Sequence, residues 1–308
     1  MKKLLSVLLL ALLLCGCSAR AVETDCWAMD TYMHFEIWGH DAQAAAEQLE
    51  GELRELEETW SAADPDSFLS RLNRGQAAAD PAQQAILDRC LELYDRTGGA
   101  FDPRLHSVID LWGFISKDYQ VPEQAALREA QREKRWNLGA VVKGYAGQQA
   151  AQLLGEMEIE RAILNLGGNV QTFGEKADGS PWKIAIQNPA GGDYVGVVSV
   201  TGTASVVTSG DYQRYFEENG VRYHHIIDPA TGCPADSGLA SVTVICRDGV
   251  AADALSTALF VMGLEKGIEH WRQSDDFEVV FILSDGQIYA TEGAGLSGCE
   301  HEVILREK

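Results

Sequence analysis

The strongest constraint on the fold is a change of local pattern near the middle of the chain. In the first half, Ala-, Glu- and Leu-rich segments over 41–60 and 81–97 predict helices, and the first of them follows a good N-cap residue. In the second half, β-branched runs broken by Gly and Pro, such as 194–210 and 277–293, predict strands. No repeat of fixed period is visible, and no low-complexity linker follows residue 27. The pattern predicts one α+β domain with mixed or antiparallel sheets and flanking helices.

The first residues predict export from the cytoplasm. Lys2 and Lys3 precede an apolar run from Leu4 to Leu14. This run is shorter than the ~20 residues that a membrane-spanning helix needs, and it is typical of the apolar core of a secretory signal peptide. We therefore expect the mature chain to act on the extracytoplasmic face of a bacterial cell membrane.

The end of the apolar run resembles a bacterial lipobox. Small Gly16 stands directly before Cys17, whose thiol would be lipidated and which would become the new N-terminus once a signal peptide over residues 1–16 is removed. Residues 17–27 would then form a lipidated tether, and residues 28–308 would form the folded domain. The alternative is an ordinary signal peptide in which Cys17 is incidental.

The charge balance excludes one class of partner. The chain has a formal net charge of −21 at pH 7, so its surface repels nucleic acid phosphates and anionic lipid headgroups. We expect no nucleic acid partner, and we expect membrane attachment to depend on the acyl chain and not on a basic patch. An acidic protein that binds a phosphate ligand also needs a local cation.

Cysteine usage indicates neither a zinc site nor a dense disulfide framework. The cysteines that follow the lipobox are odd in number, and no two of them form a CxxC pair. One or two disulfides are possible outside the cell, but the spacing does not say which residues would pair. These cysteines are Cys26, Cys90, Cys233, Cys246 and Cys299.

The segment "GVAADALSTALFVMG", Gly249 to Gly263, is an apolar helix with two polar side chains on one face. Asp253 and Thr257 are four residues apart, which places their Cβ atoms about 5–6 Å from each other. The pair can therefore reach one shared ion. A carboxylate and a hydroxyl are a small donor set, which suits Mg²⁺ because this ion often keeps water ligands and also binds oxygens of substrate phosphates. The alternative is structural, with Asp253 capping the helix start and Thr257 bonding back to its own turn.

The segment "NLGAVVKGYA", Asn137 to Ala146, has the composition of a phosphate site. Gly139 and Gly144 allow the backbone to approach a ligand closely, and Lys143 stands at the start of a predicted helix. The order GxxxxGK[ST] is missing, so the segment is not a P-loop. The alternative is a plain turn with a solvated lysine.

Two further segments are candidates for ligand contact. "NLGGN", Asn165 to Asn169, is either a hairpin turn that needs a positive φ or a backbone surface against a flat ligand. In "YHHIIDPATGCP", His225 and Asp228 could serve as a base and its orienting partner. His224 would point to the opposite face of the same strand. The alternative is a purely structural histidine.

These four segments, in this order and with "GGAFDP" upstream, resemble the ApbE family of FAD:protein FMN transferases. The resemblance extends from Met29 to about Gly293, nearly the whole predicted mature chain. It implies a single ApbE-like domain related to the T-fold. The motifs that carry it are "MDTY", "SRLN", "GGAFDP", "NLGAVVKGYA", "LNLGGN", "IQNP", "TSGDYQRYF", "YHHIIDPATGCP" and "AADALSTALFVMG".

The resemblance implies an activity and its partners. Family members bind FAD as substrate with Mg²⁺ and transfer the FMN half onto a Thr or Ser hydroxyl of a partner through a phosphoester bond, releasing AMP. The acceptors are typically flavoprotein subunits of membrane redox complexes or extracellular FMN-binding proteins. Some members instead hydrolyse FAD to FMN and AMP, and a non-catalytic flavin-binding lipoprotein is a third alternative.

The resemblance also implies roles for individual residues. The metal ligands would be the side chains of Asp253 and Thr257 and the backbone carbonyl of Ala140. His225, aided by Asp228, would be the catalytic group of the transfer. The positions that match flavin dinucleotide contacts are Met29, Ala100, Phe101, Asp102, Asn137, Lys143 and His225.

Two positions depart from the family pattern. The family usually has Asp where this chain has Asn137, which carries no charge and cannot act as a base. The family often has a Tyr that covers the flavin ring where this chain has Ala63, and Trp60 is a candidate replacement. Both departures leave the balance between transfer and hydrolysis open.

Overall fold

The computed structural model describes residues 20–306. The signal peptide and Cys17 lie outside the described residues, so both remain expectations. The strands are β1 (Val22–Ala28), β2 (Thr31–Trp38), β3 (Arg161–Leu166), β4 (Asn169–Phe173), β5 (Trp182–Gln187), β6 (Tyr194–Val200), β7 (Ala204–Gly210), β8 (Tyr215–Glu218), β9 (Val221–His224), β10 (Leu239–Cys246), β11 (Phe277–Leu283), β12 (Ile288–Thr291) and β13 (Glu302–Ile304).

The helices fall mainly in the first half of the chain, as the sequence pattern predicts. A capping box at Asp80 and Gln83 starts the third of them, in which the two residues exchange side-chain and backbone hydrogen bonds. The helices are α1 (Ala42–Trp60), α2 (Phe68–Asn73), α3 (Pro81–Arg96), α4 (His106–Leu111), α5 (Gln124–Ala130), α6 (Val142–Glu156) and α7 (Gly249–Arg272).

Nine strands form one sheet in the order β1-β2-β3-β4-β7-β10-β11-β12-β13, and the hairpins β5–β6 and β8–β9 form two small sheets. The neighbours in the large sheet pair antiparallel, apart from the parallel pair β12 and β13. The α+β class with mixed and antiparallel sheets is therefore confirmed.

Each face of the large sheet buries its own apolar core. Helices α1, α6 and α7 cover one face, because their apolar stripes meet the inward side chains of β2, β3, β7 and β10. The β5–β6 hairpin covers the other face through residues such as Trp182 and Val198. A smaller cluster under α4, α5 and the β8–β9 hairpin is centred on Trp112.

Helices α6 and α7 cross at two glycines, and this crossing positions the candidate site. A Cβ added to Gly144 would overlap the carbonyl oxygen of Gly249, and a Cβ added to Gly249 would overlap the carbonyl oxygen of Gly144. The two backbones therefore touch, which only glycine permits here. Further along α7, Gly263 leaves the helical region with φ 78° and kinks the helix.

Several expectations about segments change in the structure. The tether expected over 17–27 is wrong from Val22 onward, because Val22–Ala28 pair with β2 as the edge strand of the large sheet. Asp41 precedes α1 but does not cap it, since its carboxylate lies 2.7 Å from His40 instead.

The disulfide and membrane expectations also have structural outcomes. Every cysteine between residues 20 and 306 is a free thiol, so this part of the chain contains no disulfide. Among these same residues, no helix combines the length and the apolar character needed to cross a bilayer.

Candidate active site

Three chain segments meet at one end of the large sheet. The β1–β2 turn consists of Met29 and Asp30, both with positive φ (52° and 58°), a type that suits a tight hairpin and is uncommon for Met. The β3–β4 turn packs against it so closely that a Cβ on Gly167 would overlap Thr31. Across this end, Asp30 lies 3.9 Å from Arg214, which follows β7.

Asp253 lies on α7 directly beneath the α6–α7 crossing. Only 5% of the residue is exposed. Its Oδ2 accepts a hydrogen bond of 2.9 Å from the backbone N–H of Gly144. Burial raises the pKa of the Asp253 carboxyl, although the Lys143 charge and the Gly144 N–H oppose the rise. The alternative role as helix cap is wrong, because Asp248 caps α7 by accepting from the Ala251 N–H.

Thr257 is half-exposed, one turn further along the same face. Its Oγ1 lies 3.4 Å from Oγ of Ser209 on β7. Ser256 donates to the Asp253 carbonyl, so Ser209 must be the donor in the 2.8 Å bond between Ser209 and Ser256. The Thr257 hydroxyl therefore keeps lone pairs free for a ligand.

The carbonyl of Ala140 is released by the same contact that holds Asp253. In a regular helix the N–H of Gly144 would donate to the carbonyl four residues earlier, which is that of Ala140. Here it donates to Asp253 instead. As a result, no backbone N–H within residues 20–306 donates to the Ala140 carbonyl.

These oxygens fit a small divalent cation. A carboxylate, a hydroxyl and a released backbone carbonyl form a hard, all-oxygen donor set, which is the type that Mg²⁺ prefers. No cluster of three His, Cys, Asp or Glu side chains suited to a metal occurs in the described part of the chain.

Lys143 supplies a cation at the same place. The side chain is half-buried and forms no salt bridge with a residue that the structure describes. Burial lowers the pKa of its ammonium group, the Asp253 charge opposes this, and the Arg214 charge adds to it. In a protein of net charge −21, this lysine and the neighbouring Arg214, whose one carboxylate contact among the described residues is Asp30 at 3.9 Å, favour an anionic ligand.

His225 lies against the same cations. Its Nδ1 is 3.2 Å from the carbonyl oxygen of Arg214, which can only accept, so Nδ1 carries the proton and Nε2 is left as an acceptor. Burial, together with the charge of Arg214, lowers the pKa of His225 to about 3. His225 is therefore neutral at neutral pH. His224 points away, buried against Phe260 with its Nε2 bonded to the Ala235 carbonyl.

Asp228 does not orient His225 in this structure. Its Oδ1 accepts from the N–H of Ala230, and its backbone carbonyl accepts from Thr231 and Gly232, so it shapes the turn that follows. The Arg214 carbonyl takes the orienting role that the sequence suggested for Asp228.

Asn137 is hydrogen-bonded to Pro103, the residue that directly follows the Ala100–Asp102 span. The Asn137 N–H donates to the Pro103 carbonyl, and its Oδ1 accepts from Gly139 at 2.9 Å. The Asp102 side chain is engaged internally by Arg104 and Lys134. Any ligand contact by this span therefore falls to its backbone or to Ala100, since Phe101 is buried in the core.

Ala63, which stands where the family often has a Tyr, and Trp60, its candidate replacement, differ in solvent exposure. Ala63 is exposed. Trp60 is buried and packs edge-on against Phe68 with ring centroids 5.5 Å apart, so it is not available to cover a ligand ring. The suggestion that Trp60 replaces the missing Tyr is wrong.

Four residues at this end of the sheet were not singled out by the sequence. Ser209 and Arg214 both lie in "TSGDYQRYF", a segment quoted for its likeness without a role. Asn73 exchanges hydrogen bonds of 2.7 and 2.8 Å with the backbone of Trp136 and so ties "SRLN" to the loop before Asn137. Asn169 ends the "NLGGN" segment and is buried beside Asp253.

Comparison with known proteins agrees on one family. The ApbE family model matches residues 29–281. The FAD:protein FMN transferase of Treponema pallidum is 34% identical over 292 residues, covering 82% of this chain and 81% of the relative. The FAD:protein FMN transferase of Haemophilus influenzae is 30% identical, covering 96% and 97%.

Solved structures show the same likeness. An ApbE protein from Thermotoga maritima has a TM-score of 0.81 at 30% identity, covering 89% of this chain and 97% of its own. The flavin transferase ApbE from Vibrio cholerae has a TM-score of 0.77 at 27% identity, covering 89% and 98%.

Proposed function

The chain belongs to the ApbE family, and from that membership we propose that it transfers the FMN half of FAD to a protein acceptor. The acceptor group is a Thr or Ser hydroxyl, the product is a phosphoester, and AMP leaves. The observation that carries this proposal is the meeting of Asp253, Lys143 and His225 at one end of the sheet, where Lys143 forms no salt bridge with a described residue and Nε2 of His225 is left as an acceptor.

The two cations explain how an acidic protein binds an anionic dinucleotide. Lys143 stands in the first turn of α6, whose N-terminal N–H groups favour phosphate. Arg214 approaches from the segment after β7. A pyrophosphate between them would replace the repulsion of like charges with attraction on both sides.

The oxygen donors define where Mg²⁺ would be held. Asp253, Thr257 and the Ala140 carbonyl are the residues that would hold it, since their oxygens are unengaged or only partly engaged. When bound, the ion supplies charge neutralisation at the pyrophosphate. The protein contributes the fixed positions of these oxygens, which the glycine crossing of α6 and α7 keeps rigid.

His225 is placed to take the proton. The acceptor oxygen forms a bond to the phosphorus of the FMN half, the bond from that phosphorus to the bridging oxygen breaks, and AMP departs. The hydroxyl proton passes to Nε2 of His225, which is unprotonated because Nδ1 donates to the Arg214 carbonyl. A pyrophosphate beside Arg214 would oppose the charges that depress the pKa of His225, which makes it a better base in the complex.

We further propose that the protein works at a membrane surface outside the cytoplasm. The basis is the sequence of residues 1–17, with a signal peptide followed by a lipidated Cys17. Acceptors in that location would be flavoprotein subunits of membrane redox complexes or extracellular FMN-binding proteins. The anchor places enzyme and membrane-bound acceptor at the same surface, which raises their effective concentration.

One observation favours a second candidate, hydrolysis of FAD to FMN and AMP. Ala63 is exposed and small at the position where the family often has a Tyr that covers the flavin ring. Asn137 also brings no charge to this region. A less covered ring gives water easier access, so water could replace the acceptor hydroxyl.

One incubation separates the possibilities. Mature protein, FAD and Mg²⁺ are mixed with a flavin-free acceptor flavoprotein, and AMP and acceptor-bound flavin are measured after denaturation. We expect AMP together with flavin that stays covalently on the acceptor. Free FMN in place of bound flavin would show hydrolysis. FAD that is bound but intact would show a carrier without catalysis, and would overturn the proposal.

A further inference from the structure

Asn169 is a buried polar side chain that the contacts within the domain do not satisfy. The residue is 4% exposed. Its Nδ2 has no hydrogen-bond partner among the residues that the structure describes. An unsatisfied buried amide costs free energy, so its retention calls for an explanation such as a ligand or an ion beside it.

The register of the sheet places Asn169 level with Asp253. Strand β4 pairs with β7 so that Gln171 faces Ser205, and the same register continued by two residues sets Asn169 opposite Val207 on that face. Ser205 Oγ would lie 3.0 Å from a Cβ on Gly249, and Ser209 Oγ bonds to Ser256. Asn169 therefore faces the part of α7 between Gly249 and Ser256, which contains Asp253.

The two carboxylate oxygens of Asp253 differ in their hydrogen bonding. Oδ2 accepts from the Gly144 N–H on the α6 side. Asn169 approaches from the sheet side and lies near enough to favour the ionised carboxyl, yet its Nδ2 makes no well-formed hydrogen bond. A small rotation of either side chain would complete this bond.

We infer that Asn169 is a positioning residue for Asp253, holding its carboxylate from the sheet side so that a lone pair faces Thr257. This inference rests on the proposed function, because the oriented carboxylate is the one proposed to bind Mg²⁺. Asn169 already favours the ionised carboxyl in this structure, so the two residues are coupled without metal, and we expect the bond to become stronger when the carboxylate turns to meet a cation. Partners that orient a metal ligand commonly change metal affinity by about 10–100-fold when removed.

The test compares two substitutions on one strand face. Asn169→Leu keeps the size of the side chain and removes its donor. Gln171→Leu removes a buried amide of the same strand that is bonded to Ser205 and to the Thr172 carbonyl, away from Asp253. We expect Asn169→Leu to weaken Mg²⁺ binding about 10–100-fold by calorimetry. The Mg²⁺ concentration for half-maximal AMP release should rise equally, with the rate recovered at saturating Mg²⁺. Gln171→Leu should lower Tm without changing either value.

Thermal unfolding without Mg²⁺ tests the contact between Asn169 and Asp253 independently of the proposed function. The Tm changes of Asn169→Leu and Asp253→Asn should be non-additive in the double variant, whereas those of Gln171→Leu and Asp253→Asn should add. If wild type binds Mg²⁺ and Asn169→Leu binds it equally well, the inference is wrong while the function stands. If wild type binds no Mg²⁺ in the presence of FAD, the metal part of the proposed function fails. Additive Tm changes would then overturn the inference as well.

Discussion

Two carboxylates in this domain are almost equally buried, and the fold surrounds them in opposite ways. Asp102 is 8% exposed and Asp253 is 5% exposed. Asp102 accepts from the N–H and Nε of Arg104 at 2.9 Å and from Lys134 at 3.1 Å. Burial alone would raise its pKa, but these hydrogen bonds outweigh burial and lower it.

Asp253 receives one backbone hydrogen bond and no salt bridge from the described residues, and its pKa is raised. Solvent exposure therefore does not separate the two residues, but Asp253 lies deeper in the protein and receives fewer donors. A carboxylate fully engaged by its own chain stabilises the fold, as Asp102 does for the "GGAFDP" loop. A carboxylate left short of donors is poised for a ligand, and it lowers the stability of the ligand-free protein.

The largest expected effect is on catalysis. Asp253→Ala should abolish Mg²⁺-dependent AMP release, because the loss of a metal ligand removes several kcal/mol of charge stabilisation, which is a loss of about 100-fold or more. Asp102→Asn should keep most of the activity at temperatures where it is folded. The measurement is AMP release from FAD at saturating Mg²⁺. Wild-type turnover in Asp253→Ala would show that the metal assignment is wrong.

Stability should change in opposite directions in the two asparagine variants. Asp102→Asn leaves Arg104 and Lys134 without their anion and should lower the free energy of unfolding by about 2 kcal/mol, less than for a fully buried pair because Lys134 is half-exposed. Asp253→Asn removes a buried, poorly compensated charge and should raise Tm by about 2 °C without Mg²⁺. Urea and thermal unfolding of the metal-free proteins measure both. A loss of Tm in Asp253→Asn would remove the contrast.

The pH dependence of unfolding should also separate the two carboxylates. The lowered pKa of Asp102 means that its stabilisation is present above the unfolded value of 3.8 and is lost as pH falls through its folded pKa. The raised pKa of Asp253 means that its contribution is most favourable below 3.8 and is lost as pH rises through its folded pKa. Below pH 3.8, the free energy of unfolding of Asp102→Asn should fall less with decreasing pH than that of wild type. Above pH 3.8, the free energy of unfolding of Asp253→Asn should fall less with increasing pH than that of wild type.

His225 gives a smaller and independent test of the same principle. Its folded pKa of about 3 lies below the ordinary value of 6.5, so the folded protein binds fewer protons than the unfolded chain between these values. Stability is thus lost as pH falls from 6.5 toward 3. His225→Gln should reduce this acid loss and should slow transfer. An unchanged acid profile would mean that His225 is more hydrated than its contacts indicate.

Local pattern predicted most of the elements and part of the site. The Ala-, Glu- and Leu-rich composition of 41–60 and the β-branched run 277–293 predicted a helix and strands that the structure contains. The spacing of Asp253 and Thr257 placed them on one helix face, because four residues make about one turn. Strand β1 was missed as a tether, although the acidic Glu23 and Asp25 of "VETDCWA" alternate with less polar residues, a period of two that could have revealed it.

The rest of the site depends on contacts that spacing does not contain. The release of the Ala140 carbonyl follows from the Gly144–Asp253 bond, which joins residues 109 positions apart. The place of Asn169 follows from the β4–β7 register, and the engagement of Asp102 follows from Lys134, 32 positions later. Each needs the assembled sheet, so sequence alone left Asp102 and Asp253 alike as candidate ligand contacts.

The most direct measurement is a crystal structure of the protein with FAD and Mn²⁺, in which anomalous scattering locates the ion. We expect the ion between the Asp253 carboxylate, the Thr257 hydroxyl and the Ala140 carbonyl, in contact with the FAD pyrophosphate, and we expect Asp102 to remain bonded to Arg104 and Lys134. FAD bound with no ion at this helix face, or an ion held elsewhere, would contradict the assignment of Asp253.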